Sequence, residues 1–379
     1  MTDDTLYDTA VIGGGLAGLC LSIQLATQGF KIILFEKEIY PFHKVCGEYI
    51  SMESWGFLES LGLPLSKMQL PVIKKLIVTS PDGTALQHDL GLGGFGISRY
   101  RIDNHLKEIA AGLGVQILEN CKAEDVIIKD DIFKITTIKG NFTAKVCCGS
   151  FGKRSNLDVK WKRSFILSTK GKLNNYIGIK YHIKTDFPAD TIALHNFKNG
   201  YCGISKIEED RYCLCYLTNA ANLKDSNNGI DEMEKTILSA NPYLKNIFTT
   251  STKLYSSPLS ISQISFQKKT QIENHILLLG DAAGMITPLC GNGMSMAMHS
   301  SKIAFINISA FLKNHISREV MEENYLKTWK KTFSKRLRTG RIVQYFFGKP
   351  IVTNLFVSAM KRLPFLTTAL IKKTHGDPF

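Results

Sequence analysis

Short apolar runs near the start of the chain predict buried parallel strands. Residues 7–12 form one such run and end at three consecutive glycines, and residues 31–35 form a second. Runs of this length without polar alternation are typical of strands that are covered on both faces. Residues 16–28 lie between them, carry apolar side chains at helical spacing and are followed by a glycine, the usual residue after a helix. The order strand, helix, strand predicts a βαβ unit.

The middle of the chain has a different periodicity. Residues 165–217 alternate apolar with polar positions over longer runs, as in residues 176–183, "YIGIKYHI". A period of two predicts an antiparallel sheet with one face in the core and the other facing solvent or a ligand. Residues 276–279 return to a short buried strand, and residues 293–312 have the spacing of a long helix. The chain after residue 318 is predicted to be mostly helical.

A glycine motif joins the first strand to the first helix. Gly13-x-Gly15-x-x-Gly18 allows a tight turn, a close approach of a pyrophosphate, and packing of the helix on the strand. The start of the helix favours anions, because its N–H groups are unpaired there. Glu36 ends the second strand, at the position of the acid that binds ribose hydroxyls, and it disfavours the 2′-phosphate of NADP. The dinucleotide is expected to contact Gly13, Gly15, Leu16, Ala17, Gly18, Glu36 and Lys37.

A second motif far along the chain specifies the dinucleotide. Residues 275–304, "HILLLGDAAGMITPLCGNGMSMAMHSSKIA", place Asp281 after a strand, then Pro288, and then Gly291-Asn292-Gly293 at the opening of a helix. With both motifs, residues 5–310 resemble the FAD-dependent oxidoreductase family that includes the geranylgeranyl reductases and the aromatic hydroxylase-type (group A) flavoprotein monooxygenases. The resemblance implies FAD as cofactor, with Asp281 bonded to the ribityl chain. It also implies that the helix start faces the pyrimidine edge of the flavin, where the positive helix end stabilises the reduced anion.

The resemblance implies further cofactor contacts and a domain layout. The remaining cofactor contacts are Lys44, Gly47, Arg99, Gly280, Asp281, Pro288, Gly291, Asn292, Gly293 and Met294. The implied fold is α/β, with a Rossmann-like FAD-binding domain of the glutathione reductase type, an antiparallel β-sheet substrate domain and a helical C-terminus. The FAD-binding domain is expected in residues 1–70, 98–160 and 270–312, the substrate domain in 71–97 and 161–269, and a basic helical region in 313–379.

The loop "HKVCGEYI", residues 43–50, carries the candidate catalytic residues Cys46 and Glu48. The resemblance places this loop beside the flavin ring, and its Cys-Gly pair is similar to that of the geranylgeranyl reductases. Flavin-dependent halogenases have Gly-Glu-Ser there, and Tyr49 replaces that serine. Residues 200–206 also lack the tryptophans of the halogenase W-x-W-x-I-P box, so halogenation is disfavoured. Cys46 is a candidate proton donor and Glu48 a candidate general acid or loop anchor; the alternative is a small packed cysteine and a turn-capping carboxylate.

The resemblance has a departure in the segment "CCGSFGKRS", residues 147–155. Phe151 stands where the family's monooxygenases carry an aspartate linked to NAD(P)H. The turn can persist with this change, but direct reduction by a nicotinamide is put in doubt. The electron donor is therefore left open between NAD(P)H and a reduced, ferredoxin-like carrier protein.

Composition limits the location and the partners. The chain has 379 residues, a formal net charge of +14, and nine cysteines without a CxxC pair or metal-ligand spacing, so no metal is expected. Free cysteines favour a reducing compartment such as the cytoplasm. The N-terminal segment lacks signal-peptide features, and apolar runs stay below the ~18 residues that span a bilayer. Nucleic acid is not an expected partner, since no nucleic-acid-binding fold is recognisable.

A basic segment near the end of the chain leaves two alternatives open. Residues 327–341, "KTWKKTFSKRLRTGR", place Trp329, Phe333 and Leu337 on one helical face. Such a helix packs on the core with a solvated basic face, or it lies peripherally on the inner face of a membrane.

Three functions remain after these steps. The leading one is reduction or dehydrogenation at a C=C bond of an apolar substrate, which could be isoprenoid, lipid-like or phenolic. The alternative is an NAD(P)H-dependent FAD monooxygenase. A third is a non-catalytic lipid-escort relative of the fold, which would have a degraded flavin site; the intact glycines and Asp281 argue against it.

Overall fold

The chain is built around two separate sheets, as a computed structural model shows for residues 2–167, 176–287, 291–374 and 376–379. Pro288 lies outside the described residues. In chain order the strands are β1 (Thr2–Ile12), β2 (Ile32–Phe35), β3 (Tyr49–Ser51), β4 (Val72–Thr79), β5 (Ala85–Gly96), β6 (Gln116–Leu118), β7 (Ala123–Lys129), β8 (Ile132–Thr137), β9 (Gly140–Gly149), β10 (Tyr176–Lys184), β11 (Thr191–Phe197), β12 (Gly200–Lys206), β13 (Tyr212–Asn219), β14 (Thr252–Lys253), β15 (Leu259–Ile264), β16 (Ile272–Glu273) and β17 (Ile276–Leu278). The helices are α1 (Leu16–Thr27), α2 (Trp55–Ser60), α3 (Arg99–Gly112), α4 (Asn156–Lys160), α5 (Ser164–Leu167), α6 (Ala220–Asp225), α7 (Ile230–Thr236), α8 (Pro242–Thr250), α9 (Gly293–Leu312), α10 (Arg318–Tyr345), α11 (Pro350–Arg362) and α12 (Pro364–Thr374).

The first sheet confirms the predicted βαβ unit and the Rossmann-like fold. Its strands run in the order β16-β17-β9-β1-β2-β6, and β8 and β7 extend it from β9. The neighbours β17, β9, β1, β2 and β6 pair in parallel. Strand β1 is longer than the apolar run predicted, because Thr2 and Leu6 also pair with β9.

Helix α1 brings the two cofactor motifs together. Its residues from Leu16 to Leu25 are all buried, because the helix packs against the sheet, α3 and α9. A helix covered on all sides is apolar all round rather than striped. The start of α1 and the start of α9, which are far apart in sequence, therefore lie on the same side of the first sheet.

The second sheet confirms the predicted period of two. Its order is β14-β10-β13-β12-β11-β4-β5-β3, antiparallel except for the parallel pair β4 and β11. On β10, Ile179, Tyr181 and Ile183 pack into a core with side chains of α7 and α8. The alternate residues, Lys180 and His182, point to the opposite face, toward residues 43–50. The ligand-facing side of this sheet is thus turned toward the first sheet.

The C-terminal helices cover one end of the second sheet. On α10, Trp329, Phe333 and Leu337 are buried in the main core, so this apolar face packs on the protein. Helices α11 and α12 cross β5. Across the described residues, no helix combines the length and apolar character needed to cross a membrane.

Candidate active site

A central cavity opens between the two sheets. It encloses about 1350 Å³, part of which is open to solvent. One wall is formed by the starts of α1 and α9, and the opposite wall by the inward face of β10, β12 and β13. Six lining residues that matter for its chemistry are Gly15, Ala17, Cys46, Asp281, Gly293 and Met294. Most residues expected to bind the cofactor are thus gathered around one space.

The glycine motif leaves no room for side chains at its ends. Gly13 has a φ of +106°, and a Cβ there would lie 2.5 Å from the backbone oxygen of Ser150. A Cβ on Gly18 would lie 2.1 Å from the oxygen of Gly13. Gly15 differs, because its nearest neighbours are cationic: Arg99 Nη2 is 3.6 Å and Lys44 Nζ is 3.9 Å from the position of a Cβ. The space above Gly15 therefore fits a pyrophosphate.

Those two cations share a single buried carboxylate. The Asp103 carboxylate accepts hydrogen bonds from Arg99, through Nε at 2.8 Å and Nη2 at 2.6 Å. It also accepts one from Lys44 Nζ at 3.1 Å. Burial alone would raise the pKa of Asp103, but the Arg99 and Lys44 charges outweigh burial and lower it. Two cations on one carboxylate leave one positive charge in excess within this group of three side chains. The arrangement suits a ligand that carries negative charge.

Glu36 organises the glycine turn from below. Its carboxylate is buried and accepts hydrogen bonds from the N–H groups of Gly14, at 2.9 Å, and Glu38, at 3.1 Å. Each oxygen keeps a second lone pair with which it can accept a ribose hydroxyl. Lys37 is not among the residues that line the cavity; it is largely exposed and pairs with Glu38 at 3.5 Å.

The start of α9 leaves its N–H groups uncapped. Asn292 is the N-cap residue, but its side chain makes no capping bond. Its amide instead donates to the Thr374 carbonyl at 2.6 Å, so Asn292 contributes backbone rather than side chain to the cavity edge. Gly280 and Asp281 follow β17 in a 3₁₀ turn and line the same cavity. The N–H groups of a helix start that has no side-chain cap among the described residues, together with a nearby carboxylate, fit the anionic edge and the ribityl hydroxyls of a flavin.

Residues 43–50 form the third side of the cavity. Cys46 is half-buried, with its Sγ 3.5 Å from Sδ of Met294 at the start of α9. A Cβ on Gly47 would meet no atom within 4 Å, so the backbone there is open to the cavity. The Cys46 thiol and the open Gly47 backbone both face the space in which the flavin ring is expected.

Glu48 is held as a buried anion beneath this loop. Its carboxylate accepts from Lys180 Nζ at 2.5 Å and the Arg99 N–H at 2.8 Å, and it lies 2.6 Å from His182 Nε2. Burial alone would raise the pKa of Glu48, but Lys180 and His182 outweigh it and lower the pKa to about 2. Its φ of 56° is unusual for a residue with a side chain. These features support loop anchoring, not general acid chemistry.

Further bonds tie the loop to the second sheet. Lys180 Nζ donates to the carbonyl of Lys44 at 3.1 Å, and the Cys213 thiol donates to that of Cys46 at 3.2 Å. Ser205 Oγ donates to the carbonyl of Gly47 at 3.4 Å. Lys180, His182 and Ser205 were not among the residues expected from the sequence to act at the site. The sequence does carry a signal for these residues. They are polar and stand at alternate positions of strands whose other positions are apolar.

One group of side chains has the composition of a metal site. Ligand atoms of Glu48, His182 and Cys213 all lie within 4.8 Å of one another, although sequence spacing predicted no metal. The ammonium of Lys180 already occupies the Glu48 carboxylate. A divalent cation there would face this buried positive charge, so we assign no metal to the group.

The turn around Phe151 is intact, although Phe151 stands where the related monooxygenases carry an aspartate. Its ring packs against Trp161 with centroids 6.1 Å apart. The neighbouring Ser150 donates through Oγ to the carbonyl of Gly13 at 2.6 Å, which links this segment to the glycine motif. The turn thus retains its place without a carboxylate.

A second cavity, the apolar chamber, continues from the first. It encloses about 850 Å³, part of it open to solvent, between β4, β5, β11 and the C-terminal helices α10, α11 and α12. Tyr49, Ile192, Leu194 and Gly291 line both cavities. Among the described residues that line the chamber, none is charged. The central cavity therefore has an apolar extension.

The sequence of the chain is similar to those of several known proteins. The family model described as "NAD(P)-binding Rossmann-like domain" matches residues 11–44. The chain is 23% identical to a digeranylgeranylglycerophospholipid reductase of Methanospirillum hungatei, over 97% of this chain and 93% of that protein. It is 22% identical to conditioned medium factor receptor 1 of Dictyostelium discoideum, over 95% of this chain and 74% of that protein.

Solved structures of flavin-dependent enzymes share the fold. The brominase Bmp2 superposes with a TM-score of 0.79 and 20% identity, covering 98% of this chain and 93% of the brominase. The halogenase CmlS superposes with a TM-score of 0.75 and 18% identity, covering 89% of this chain but only 64% of the halogenase. The fold and the site define a flavoprotein oxidoreductase. More specifically, the protein is an FAD-dependent oxidoreductase with FAD as its cofactor, and its sequence is similar to those of digeranylgeranylglycerophospholipid reductases.

Replacement of Asp281 with Ala is expected to raise the Kd for FAD about 10- to 30-fold. A hydrogen bond to a charged group contributes about 1.5–3 kcal/mol, and the partly exposed carboxylate falls near the lower end. The measurement is fluorescence titration of the apoprotein with FAD. The exposed Asp186→Ala serves as control and should keep the wild-type Kd; equal affinities of the two variants would contradict a ribityl contact.

Proposed function

We propose that the protein uses FAD to reduce a C=C bond of an apolar, isoprenoid-like molecule. The observation that carries this proposal is the apolar chamber, which opens from the flavin side of the central cavity. A small polar substrate would not need this second space. A long hydrocarbon chain does, because its whole length must leave water.

The hydroxyl groups that α12 contributes to the chamber wall are hydrogen-bonded within the protein. Thr367 and Thr374 are its hydroxyl residues on α12, and each hydroxyl donates to a backbone carbonyl, of Met360 at 3.2 Å and of Ile371 at 2.9 Å. Both threonines therefore leave no free donor for a ligand. The Tyr49 hydroxyl, at the junction with the central cavity, is a buried polar group without a partner among the described residues, and the wall beyond it suits a hydrocarbon chain.

The loop at residues 43–50 supports the chemistry proposed for the reacting end of the substrate. Once reduced by two electrons, bound FAD would supply a hydride to one alkene carbon. Cys46 donates the Sγ proton to the other carbon, and its thiolate is then reprotonated from solvent. Glu48, Lys180 and Ser205 hold the loop so that this thiol stays at the cavity wall. The two electrons come from an external donor, NAD(P)H or a reduced carrier protein.

The relatives support the same reaction. Proteins named digeranylgeranylglycerophospholipid reductase, from Methanospirillum hungatei and Methanosarcina acetivorans, match over 97% and 90% of this chain. The Cys46-Gly47 pair and the absence of tryptophan in residues 200–206 agree with reduction rather than halogenation.

An anaerobic turnover experiment tests this function. The FAD-loaded protein is reduced with one equivalent of dithionite and mixed with a detergent-solubilised geranylgeranyl lipid. Return of the oxidised-flavin absorbance, with a product heavier by two hydrogens per reduced bond, is the expected result. A product heavier by one oxygen atom that forms only in air would overturn the proposal in favour of a monooxygenase. Failure to bind FAD at all would favour a lipid-escort protein.

Replacement of Leu194 with Trp is expected to slow turnover of a twenty-carbon isoprenoid about tenfold. Leu194 lines both cavities, so a larger side chain obstructs the passage between them. A five-carbon isoprenoid that stays in the central cavity should be affected less than twofold. Turnover of both substrates by the control Val72→Trp, an exposed position of the same sheet, should equal wild type. Equal slowing of both chain lengths would contradict a role for the chamber.

A further inference from the structure

The outer face of α11 and α12 is apolar and exposed. On α11, Ile351 and Leu355 are 77% and 68% exposed, and Ala359 continues the same helical row. On α12, Phe365 is 66% exposed and Leu366 lies beside it. Together these five residues are called the outer face. Large apolar side chains at such exposure in one place indicate an interaction surface rather than ordinary surface composition.

Basic residues border the outer face. From residue 342 to the end, the chain carries Lys349, Lys361, Arg362, Lys372 and Lys373 and a single acidic residue, Asp377. Within the part of the chain that the structure describes, none of these five cations forms an ion pair. The row of α11 ends at Arg362, and that of α12 ends at Lys372 and Lys373. Exposed apolar side chains bordered by unpaired cations are complementary to an anionic lipid surface.

The inner faces of the same two helices line the apolar chamber. Val357 and Met360 of α11, and Leu370 and Ile371 of α12, belong to its wall. Only the thickness of one helix layer therefore separates the chamber from the outer face. A lipid-like molecule at the outer face would need to cross this layer to reach the central cavity.

We propose that the outer face docks on the surface of an anionic phospholipid bilayer and there takes up the apolar substrate. The uptake step rests on the proposed function; the docking does not. A second copy of this chain is a poorer occupant, because a two-fold interface would place the same five cations opposite each other. The helices lie on the bilayer surface and do not cross it.

A vesicle experiment tests the docking. Full-length FAD-loaded protein is sedimented with vesicles of phosphatidylcholine, or of phosphatidylcholine with one quarter phosphatidylglycerol. We expect at least tenfold tighter binding to the anionic vesicles. The variant Ile351→Asp/Leu355→Asp/Phe365→Asp should lose at least tenfold of that binding. The control Ile127→Asp/Ile138→Asp/Ile306→Asp changes three apolar residues that are exposed elsewhere and should bind as wild type.

Three results would overturn the docking proposal. One is equal binding to neutral and anionic vesicles, and another is unchanged binding of the outer-face variant. The third is a dimer in light scattering that the outer-face variant converts to monomer, which would assign the face to a second copy. FAD content and turnover of a detergent-solubilised substrate separate the two proposals. Vesicle binding without that turnover would contradict the proposed function alone, and turnover without vesicle binding would contradict the docking alone.

Discussion

Replacement of Lys180 with Met is expected to lower the free energy of unfolding by about 3–5 kcal/mol at neutral pH. The substitution removes the ammonium that pairs with Glu48 at 2.5 Å and leaves a fully buried carboxylate with less compensation. Breaking one partner of a buried ion pair has an effect of this size, because the remaining charge stays out of water. Urea unfolding followed by circular dichroism measures it.

A matched control separates this effect from the loss of any lysine. Lys75 pairs with Asp190 on the same sheet, but its side chain is 59% exposed, so Lys75→Met should leave the free energy of unfolding nearly unchanged. The double variant Lys180→Met/Glu48→Gln should recover part of the lost stability, since no buried charge is then left unpaired. Similar losses for Lys180→Met and Lys75→Met would show that the buried pair is not a stabilising anchor.

The buried Glu48 carboxylate also makes the free energy of unfolding depend on pH in the acid range. The pKa of Glu48 is lowered from about 4.3 in an unfolded chain to about 2 in the fold. A lowered pKa contributes stability above the unfolded value, and this contribution is lost as the pH falls from about 4.5 toward 2. Its full size is on the order of 3 kcal/mol. Wild type should therefore lose more stability than Glu48→Gln over this interval.

Replacement of Arg99 with Ala is expected to raise the Kd for FAD about 100-fold. The guanidinium is the cation nearest to Gly15, where the pyrophosphate is expected, and its charge-assisted bonds to phosphate contribute about 1.5–3 kcal/mol. Removing it also leaves Asp103 with Lys44 as its only cationic partner, which makes the turn less positive. Fluorescence titration of the apoprotein with FAD measures the change.

Arg101 provides the control for this prediction. It lies on the same helix, two residues further, and Arg101→Ala should leave the Kd within about twofold because its side chain is not at the cavity. Raising the salt concentration should weaken FAD binding to the wild type more than FAD binding to Arg99→Ala, because salt screens the charge that the variant lacks. An unchanged Kd for Arg99→Ala would refute a phosphate contact.

The parts of the site that are contiguous in sequence could be predicted from it. The glycine turn, Glu36 and the start of α9 each combine a strand, a turn and a helix within a few residues, so local pattern is enough to place them. Arg99 was expected at the cofactor. The structure places it as the first residue of α3, buried against Asp103.

The parts that depend on distant residues could not be predicted. Glu48, Lys180 and His182 meet only because residues 43–50 lie across the ligand-facing side of β10. Nothing in the spacing of these residues specifies that crossing. The apolar chamber likewise depends on α11 and α12 folding back over β5, and a period of 3.6 does not say which face a helix covers.

The bond between Asn292 and the Thr374 carbonyl joins two functions that are separate in sequence. Thr374 ends α12, which forms part of the chamber wall, and Asn292 precedes α9, whose start lines the cavity where the flavin is expected. Any displacement of α12 must break this bond or carry Asn292 with it. If a ligand in the chamber shifts α12 and thereby alters FAD affinity, FAD must alter the affinity for that ligand by the same factor.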